Sequence, residues 1–169
     1  MKNNFAVSAY SIKKDFGAVT AANDINLLIN EGEKISLIGS NGAGKTTFIN
    51  MLTGYIKPDF GNIFIHGENI NTLSPRNITR LGVSRSFQIP QLFNEMNLID
   101  NLLVAITSNK RSLSFWEYSK NHEAIKYAEN LVEKMGLSEY AFKIVNELPG
   151  GIRKLLDIAM ALIQQPKIL

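Results

Sequence analysis

The sequence predicts an α/β domain, and three observations carry that reading. The segments "FAVSAYSIKK" (residues 5–14) and "DINLLIN" (residues 24–30) alternate apolar and polar residues in the way of antiparallel strands. The short apolar run "KISLIG" (residues 34–39) has the character of a buried strand and leads straight into glycines and a helical pattern. The middle third then changes to apolar residues at three- and four-residue spacing, which predicts a helical subdomain beside the sheet.

Each element follows from local chemistry. From Lys45 to Thr53 the residues Phe48, Ile49 and Leu52 fall on one helical face, and Gly54 is placed as a stop. "GNIFIHG" is a strand between glycines, and "LGVSRSFQ" reads as another. "NLLVAI" is helical, as is the stretch from Glu117 to Met135, with Ala124, Ala128, Leu131, Val132 and Met135 on one face. A last helix is expected from about Gly151 to Gln164, ended by Pro166. The closing letters, Lys167, Ile168 and Leu169, read as the opening of an apolar strand.

At 169 residues, 45% hydrophobic and 20% charged, the chain is long enough for one sizeable core. No apolar run approaches the roughly 18 residues that a spanning helix needs, and the N-terminus lacks the apolar stretch of a signal peptide, so a cytoplasmic protein is expected. With no cysteine there are no disulfides and no zinc-thiolate sites. A formal charge of +3, scattered along the chain, gives no argument for nucleic acid.

The most informative stretch is "GSNGAGKTT", comprising Gly39, Ser40, Asn41, Gly42, Ala43, Gly44, Lys45, Thr46 and Thr47. It fits G-x-x-x-x-G-K-[ST] with a predicted strand before and a helix after, the context that a phosphate-binding P-loop requires. A triphosphate concentrates several charges on a narrow group, so converging backbone N–H groups hold it and glycines let the chain curl around it. Lys45 reaches the β- and γ-phosphates, Thr46 offers a hydroxyl to Mg²⁺, and the helix N-terminus faces the anion. The expected ligands are ATP and Mg²⁺.

With that loop in place, "DFGAVTAANDINLLINEGEKISLIGSNGAGKTTFINMLTGYIKPDFGNIFIHGENI" resembles the first half of the ATP-binding subunit of ABC transporters. The resemblance covers essentially the whole chain and, through "GVSRSFQIPQLFNEMNLIDNLLVA", looks most like importers of branched-chain amino acids; ATPases of lipopolysaccharide export and urea import are similar here. It implies an ABC-type P-loop fold with an antiparallel β subdomain and a helical subdomain, forming one incomplete domain. Residues of about 1–88 would be the β subdomain and P-loop core, about 89–160 the helical subdomain, and 161–169 the approach to a further strand. It implies membrane permease subunits and a second ATP-binding subunit as partners, at the inner face of the membrane.

The resemblance assigns further residues. Phe16 matches the aromatic that stacks on adenine; the alternative is a core aromatic at a strand end. Gln88 matches the glutamine that reaches toward Mg²⁺ and the attacking water; the alternative is a surface glutamine. "LPGG", with Pro149, Gly150, Gly151 and Ile152, lies where the family carries L-S-G-G-Q, whose N–H groups meet the γ-phosphate held by the partner subunit. Pro149 replaces a serine, Ile152 a glutamine, and Leu155 a basic residue, so a weaker clamp is expected; the alternative is a plain helix start.

In the family, the apolar strand after the signature helix ends in the Walker B Asp-Glu pair, followed by a switch histidine. Residues 165–169 reproduce only the approach, so the resemblance implies a core whose C-terminal part is missing and a chain that binds ATP without hydrolysing it alone. A non-hydrolysing nucleotide-binding or interaction module and a non-functional truncation product are the other readings. His66, His122, Glu31, Glu33 and Asp157 are expected on solvated surfaces.

Overall fold

Two long strands and a two-residue turn open the structure, a computed structural model that describes residues 5–87, 89–108 and 122–169. β1 (Phe5–Phe16) and β2 (Val19–Asn30) pair antiparallel from Phe5↔Asn30 to Phe16↔Val19. β3 (Phe60–Ile65) lies on the other edge of β1, and β4 (Glu68–Asn69) closes a tight hairpin with it, giving the order β2-β1-β3-β4. As the inner strand, β1 buries Ala6, Val7, Ala9 and Ile12.

The register breaks where Ser11 takes a left-handed φ of 48°, a bulge held by the Asn26 side chain, which accepts from the Ser11 N–H at 2.8 Å. Gly61 faces it. A Cβ there would stand 2.4 Å from the Tyr10 carbonyl oxygen, so β3 can approach the bulge only with glycine at this point.

These strands belong to the first of two compact units, Met1–Leu81 and Gly82–Leu169. The first unit also holds α1 (Lys45–Leu52) and α2 (Pro75–Arg80), the latter capped by the Ser74 hydroxyl on the Asn77 N–H. α1 buries Phe48 and Met51 and stops as expected at Gly54, φ 76°. A Cβ on Gly54 would meet Ile78 of α2 at 2.6 Å, so the stop is also a packing point.

One expectation fails in this unit. Residues 34–39 form no strand, and Ile35, Leu37 and Ile38 are exposed, Ile38 by 94%. An apolar run becomes a buried strand only when neighbouring strands take its N–H and C=O groups, and among the described residues no strand pairs with it.

The second unit is helical. α3 (Leu98–Ser108), α4 (His122–Lys134) and α5 (Gly150–Leu162) surround a core of Leu98, Leu102, Leu103, Ala128, Val132, Leu156 and Ala159, with Leu137 and Val145 contributed by the irregular stretch between α4 and α5. Of the five positions expected on the face of α4, Ala124, Ala128 and Val132 are buried and Leu131 and Met135 are half-buried against the same core; residues 117–121 of the expected helix lie outside the described residues. Asn97 caps α3 through the Asp100 N–H at 2.8 Å. Asn101, fully buried, accepts from the Phe93 N–H at 2.8 Å and donates to the Phe93 and Asn97 carbonyls.

The predicted strand over 81–88 is reduced to one parallel bridge, Val83↔Ile168. Hydrogen bonds from Lys167 and Ile168 to Gly82, and from Ser84 to Ile168, surround it. The closing segment, read from its composition as the opening of a strand, likewise makes only this one bridge.

Candidate functional site

The loop over residues 39–47 is built by two left-handed glycines, Gly42 at φ 83° and Gly44 at φ 78°, with a turn closed by the Ala43 N–H on the Ser40 carbonyl at 3.2 Å. Gly44 is the N-cap of α1, and its carbonyl accepts from the Phe48 N–H at 2.9 Å. A helix leaves its first N–H groups without internal partners, here those of Lys45, Thr46 and Thr47, and the first turn carries no acidic residue to neutralise that end.

Lys45 folds back over the loop. Its Nζ donates to the carbonyls of Gly39 at 2.7 Å and Ser40 at 2.6 Å. A cation is therefore held at the mouth of a turn whose backbone curls around it. Ser40, Asn41 and Gly42 are exposed, as is Thr46, while Thr47 is half-buried.

Phe16 and this loop belong to the same unit, and both border β2. A Cβ on Gly44 would lie 2.0 Å from the carbonyl oxygen of Ala21 in β2, so the start of α1 abuts that strand. Ala21 is two residues from Val19, the register partner of Phe16, a separation of about 7 Å along the strand. Phe16 is 48% exposed, with the Lys14 ammonium 5.5 Å from its ring centroid, and it is not enclosed by the core.

Around the end of β1 lies a charged cluster that the sequence reading did not single out. The Asp59 carboxylate accepts from the Lys14 ammonium at 2.7 Å and from the Asp15 N–H at 2.8 Å, while Asp15 accepts from the Thr20 hydroxyl at 2.6 Å and pairs with Lys13 at 3.2 Å. These bonds favour the ionised forms. The Asp15 N–H, then Lys14, hold Asp59 below the ordinary carboxylate range, and the Thr20 hydroxyl, then Lys13, do the same for Asp15.

In the second unit Gln88 lies outside the described residues, but its approach is firmly held. Asp157 of α5, expected on a solvated face, is 5% exposed and accepts from the Ser86 hydroxyl at 2.5 Å and the Phe87 N–H at 2.9 Å. Lys154 donates to Ser86 Oγ at 2.9 Å, to the Phe87 carbonyl and to Asp157 at 3.3 Å. The expectation of solvation fails because the carboxylate stands on the inner side of α5, where it accepts from a backbone N–H and a hydroxyl.

Pro149 occupies the N-cap of α5 with an extended ψ of 148°, and its carbonyl accepts from the Arg153 N–H at 3.0 Å. Its missing N–H falls at a position outside the helix. Gly150 and Gly151 open the helix, both exposed, with no atom within 4 Å of a Cβ built on either. Ile152 packs against the helical core, and Leu155 is 37% exposed. His66 is exposed in a left-handed turn with Nδ1 3.6 Å from Glu31, and His122 is exposed at the start of α4. Glu33 is exposed and accepts from the Asn30 side chain and N–H, which depress its pKa. Among the described residues no His, Asp and Glu group is arranged to hold a metal on its own.

The arrangement is that of a nucleotide-binding P-loop protein. The ABC transporter family profile matches residues 22–169, and the chain belongs to that family. It is 38% identical over 170 residues to the high-affinity branched-chain amino acid transport ATP-binding protein LivG of Escherichia coli K12, covering 96% of this chain and 67% of LivG. Among solved structures it resembles the ADP conformation of an ATP-binding cassette of an ABC transporter, with TM-score 0.80 and 32% identity over 96% of this chain and 66% of that one. It also resembles a dimeric ATP-binding cassette in a post-hydrolysis state bound to ADP and Pi, with TM-score 0.81 and 26% identity over 95% of this chain and 70% of that one. The chain thus spans about two thirds of the length of these relatives.

Proposed function

We propose that the chain is the ATP-binding part of an importer of branched-chain amino acids, binding Mg²⁺-ATP at residues 39–47. The observation that carries this is the Lys45 ammonium held over the Gly39 and Ser40 carbonyls at the N-terminus of α1. The β- and γ-phosphates take the place of those carbonyls as its partners, the loop N–H groups and the helix end hold the remaining oxygens, and Phe16 stacks on adenine.

Thr46 presents one neutral, exposed oxygen at the first turn, which suits Mg²⁺ held chiefly by phosphate and water; Gln88 is the second protein ligand in this reading. When bound, Mg²⁺ neutralises charge on the phosphates. Gly150 and Gly151 offer their N–H groups to a nucleotide on a second ATP-binding subunit, and Ile152, turned to the core, contributes no side chain there. The clamp is correspondingly weak.

In this reading the chain works against integral permease subunits at the inner membrane face. No described helix is long and apolar enough to cross a membrane. Within its 169 residues no Asp-Glu pair follows an apolar strand, which favours binding without turnover by these residues alone. Titration of Mg²⁺-ATP against wild type and Lys45→Ala tests the site, and equal affinity for both would overturn it.

A further inference from the structure

The strongest unassigned feature is the carboxylate of Asp59, which stands one residue before β3 and grips the end of β1 at three consecutive residues. Its own N–H donates to the Lys13 carbonyl at 2.9 Å, Oδ1 takes the Lys14 ammonium at 2.7 Å, and Oδ2 takes the Asp15 N–H at 2.8 Å. The β1–β3 ladder ends at Lys13↔Phe60, so Asp15 has no strand partner on that side; the Asp59 side chain supplies the missing acceptor. On the other side Thr20 and Val19 of β2 complete the pairing.

Phe16 is the next residue along. Lys14 and Phe16, two apart on a strand, point to the same face, and the ammonium that Asp59 holds lies 5.5 Å from the Phe16 ring centroid. One carboxylate thereby fixes both the backbone that carries the ring and the cation beside it, while leaving the ring 48% exposed.

We propose that Asp59 is a positioning residue for the purine-binding face of Phe16: it preorganises the exposed ring for stacking and has no contact with the phosphates. This rests on the reading of Phe16 as the base-stacking residue. A ring held in advance loses less side-chain freedom when a base lands on it, and a ring released by Asp59→Ala must be ordered at each binding event.

The test compares Mg²⁺-ATP with inorganic tripolyphosphate, which has no base, on wild type, Asp59→Ala, Asp59→Asn, Phe16→Ala and the double variant Asp59→Ala/Phe16→Ala. Asp59→Ala is expected to weaken ATP by about two- to tenfold, the scale of re-ordering one side chain, and to leave tripolyphosphate unchanged. In the Phe16→Ala background the same substitution is expected to have no further effect, because there is no ring left to position. Asp59→Asn keeps an acceptor for the Asp15 N–H but not the ion pair with Lys14, and is expected to fall between. Equal losses for both ligands, no loss for ATP, or losses that multiply in the double variant would overturn the role of Asp59. If Asp59→Ala does not fold, Asp59→Asn is judged by the same criteria. A different result, in which Phe16→Ala itself leaves the preference for ATP over tripolyphosphate intact, overturns the base-stacking reading and the Asp59 role with it.

Discussion

Ser86 donates its hydroxyl to the buried carboxylate of Asp157 at 2.5 Å, tying the residues that lead to Gln88 onto the helix that begins at the glycine pair 150–151. The neighbouring Phe87 N–H uses the same oxygen, and Lys154 approaches it from the partly exposed side. Two motifs far apart in sequence are therefore joined inside one unit by a single side chain.

Removing that side chain strands its donors. Asp157→Ala removes the buried acceptor that the Phe87 N–H and the Ser86 hydroxyl share, and is expected to lower stability by about 1–3 kcal/mol. Lys154→Met, at a side chain that is 41% exposed, is expected to cost less. Urea unfolding of the three proteins checks the order; a Lys154→Met loss equal to or larger than that of Asp157→Ala would contradict it.

Gly44 and Gly42 have nearly the same φ but different surroundings, which gives a paired prediction. Alanine at 42 meets open space and bears only the left-handed strain, about 1 kcal/mol. Alanine at 44 also drives its Cβ to 2.0 Å from the Ala21 carbonyl, so α1 must move off β2 and the loss is expected to be larger by about 1–3 kcal/mol. Thermal unfolding of both variants without nucleotide measures the difference; equal losses would show that the contact yields easily.

Acid is expected to weaken the first unit. Asp15 and Asp59 have folded pKa values below their unfolded value of about 3.9, so their contribution is fully present above that pH and is lost as pH falls through the folded values. Stability followed by circular dichroism from pH 6 downward is expected to fall below about pH 4, and less steeply in Asp59→Asn. An unchanged slope in the variant would remove Asp59 from the acid response.

Much of this was legible in the sequence because it is local. The loop and its helix follow from the glycine pattern and the apolar spacing, although the helix buries Met51 beside Phe48 and leaves the expected Ile49 and Leu52 half-buried, and the hairpin follows from apolar alternation; matches of this kind need no distant partner. What escaped depends on residues remote in sequence. "KISLIG" looks like a strand from composition, yet Ile38 is 94% exposed because composition does not supply neighbours. Asp157 reads as a charge on an amphipathic helix until Ser86 and Phe87 arrive from 71 and 70 positions away. Asp59 likewise reads as a turn residue, and its role becomes visible only with β1 beside it.

The 169-residue polypeptide, expressed by itself, is expected to bind Mg²⁺-ATP and show no phosphate release above background. In the proposed reading Lys45, Thr46 and the loop N–H groups hold the ground state, but holding substrate does not lower the barrier to phosphoryl transfer. That requires a group to orient water, and the candidates are poorly placed for it. Both histidines are exposed, His66 beside Glu31 and His122 at the start of α4. Asp157 is engaged by Ser86, Phe87 and Lys154, and Asp15 and Asp59 are bound to Lys13 and Lys14. Glu95, the first carboxylate after Gln88 in the sequence, is the one to examine first. Phosphate release is measured beside Lys45→Ala, which reports contaminating hydrolysis, and beside Glu95→Gln. Turnover well above Lys45→Ala would refute the expectation, and its loss in Glu95→Gln would identify the carboxylate responsible.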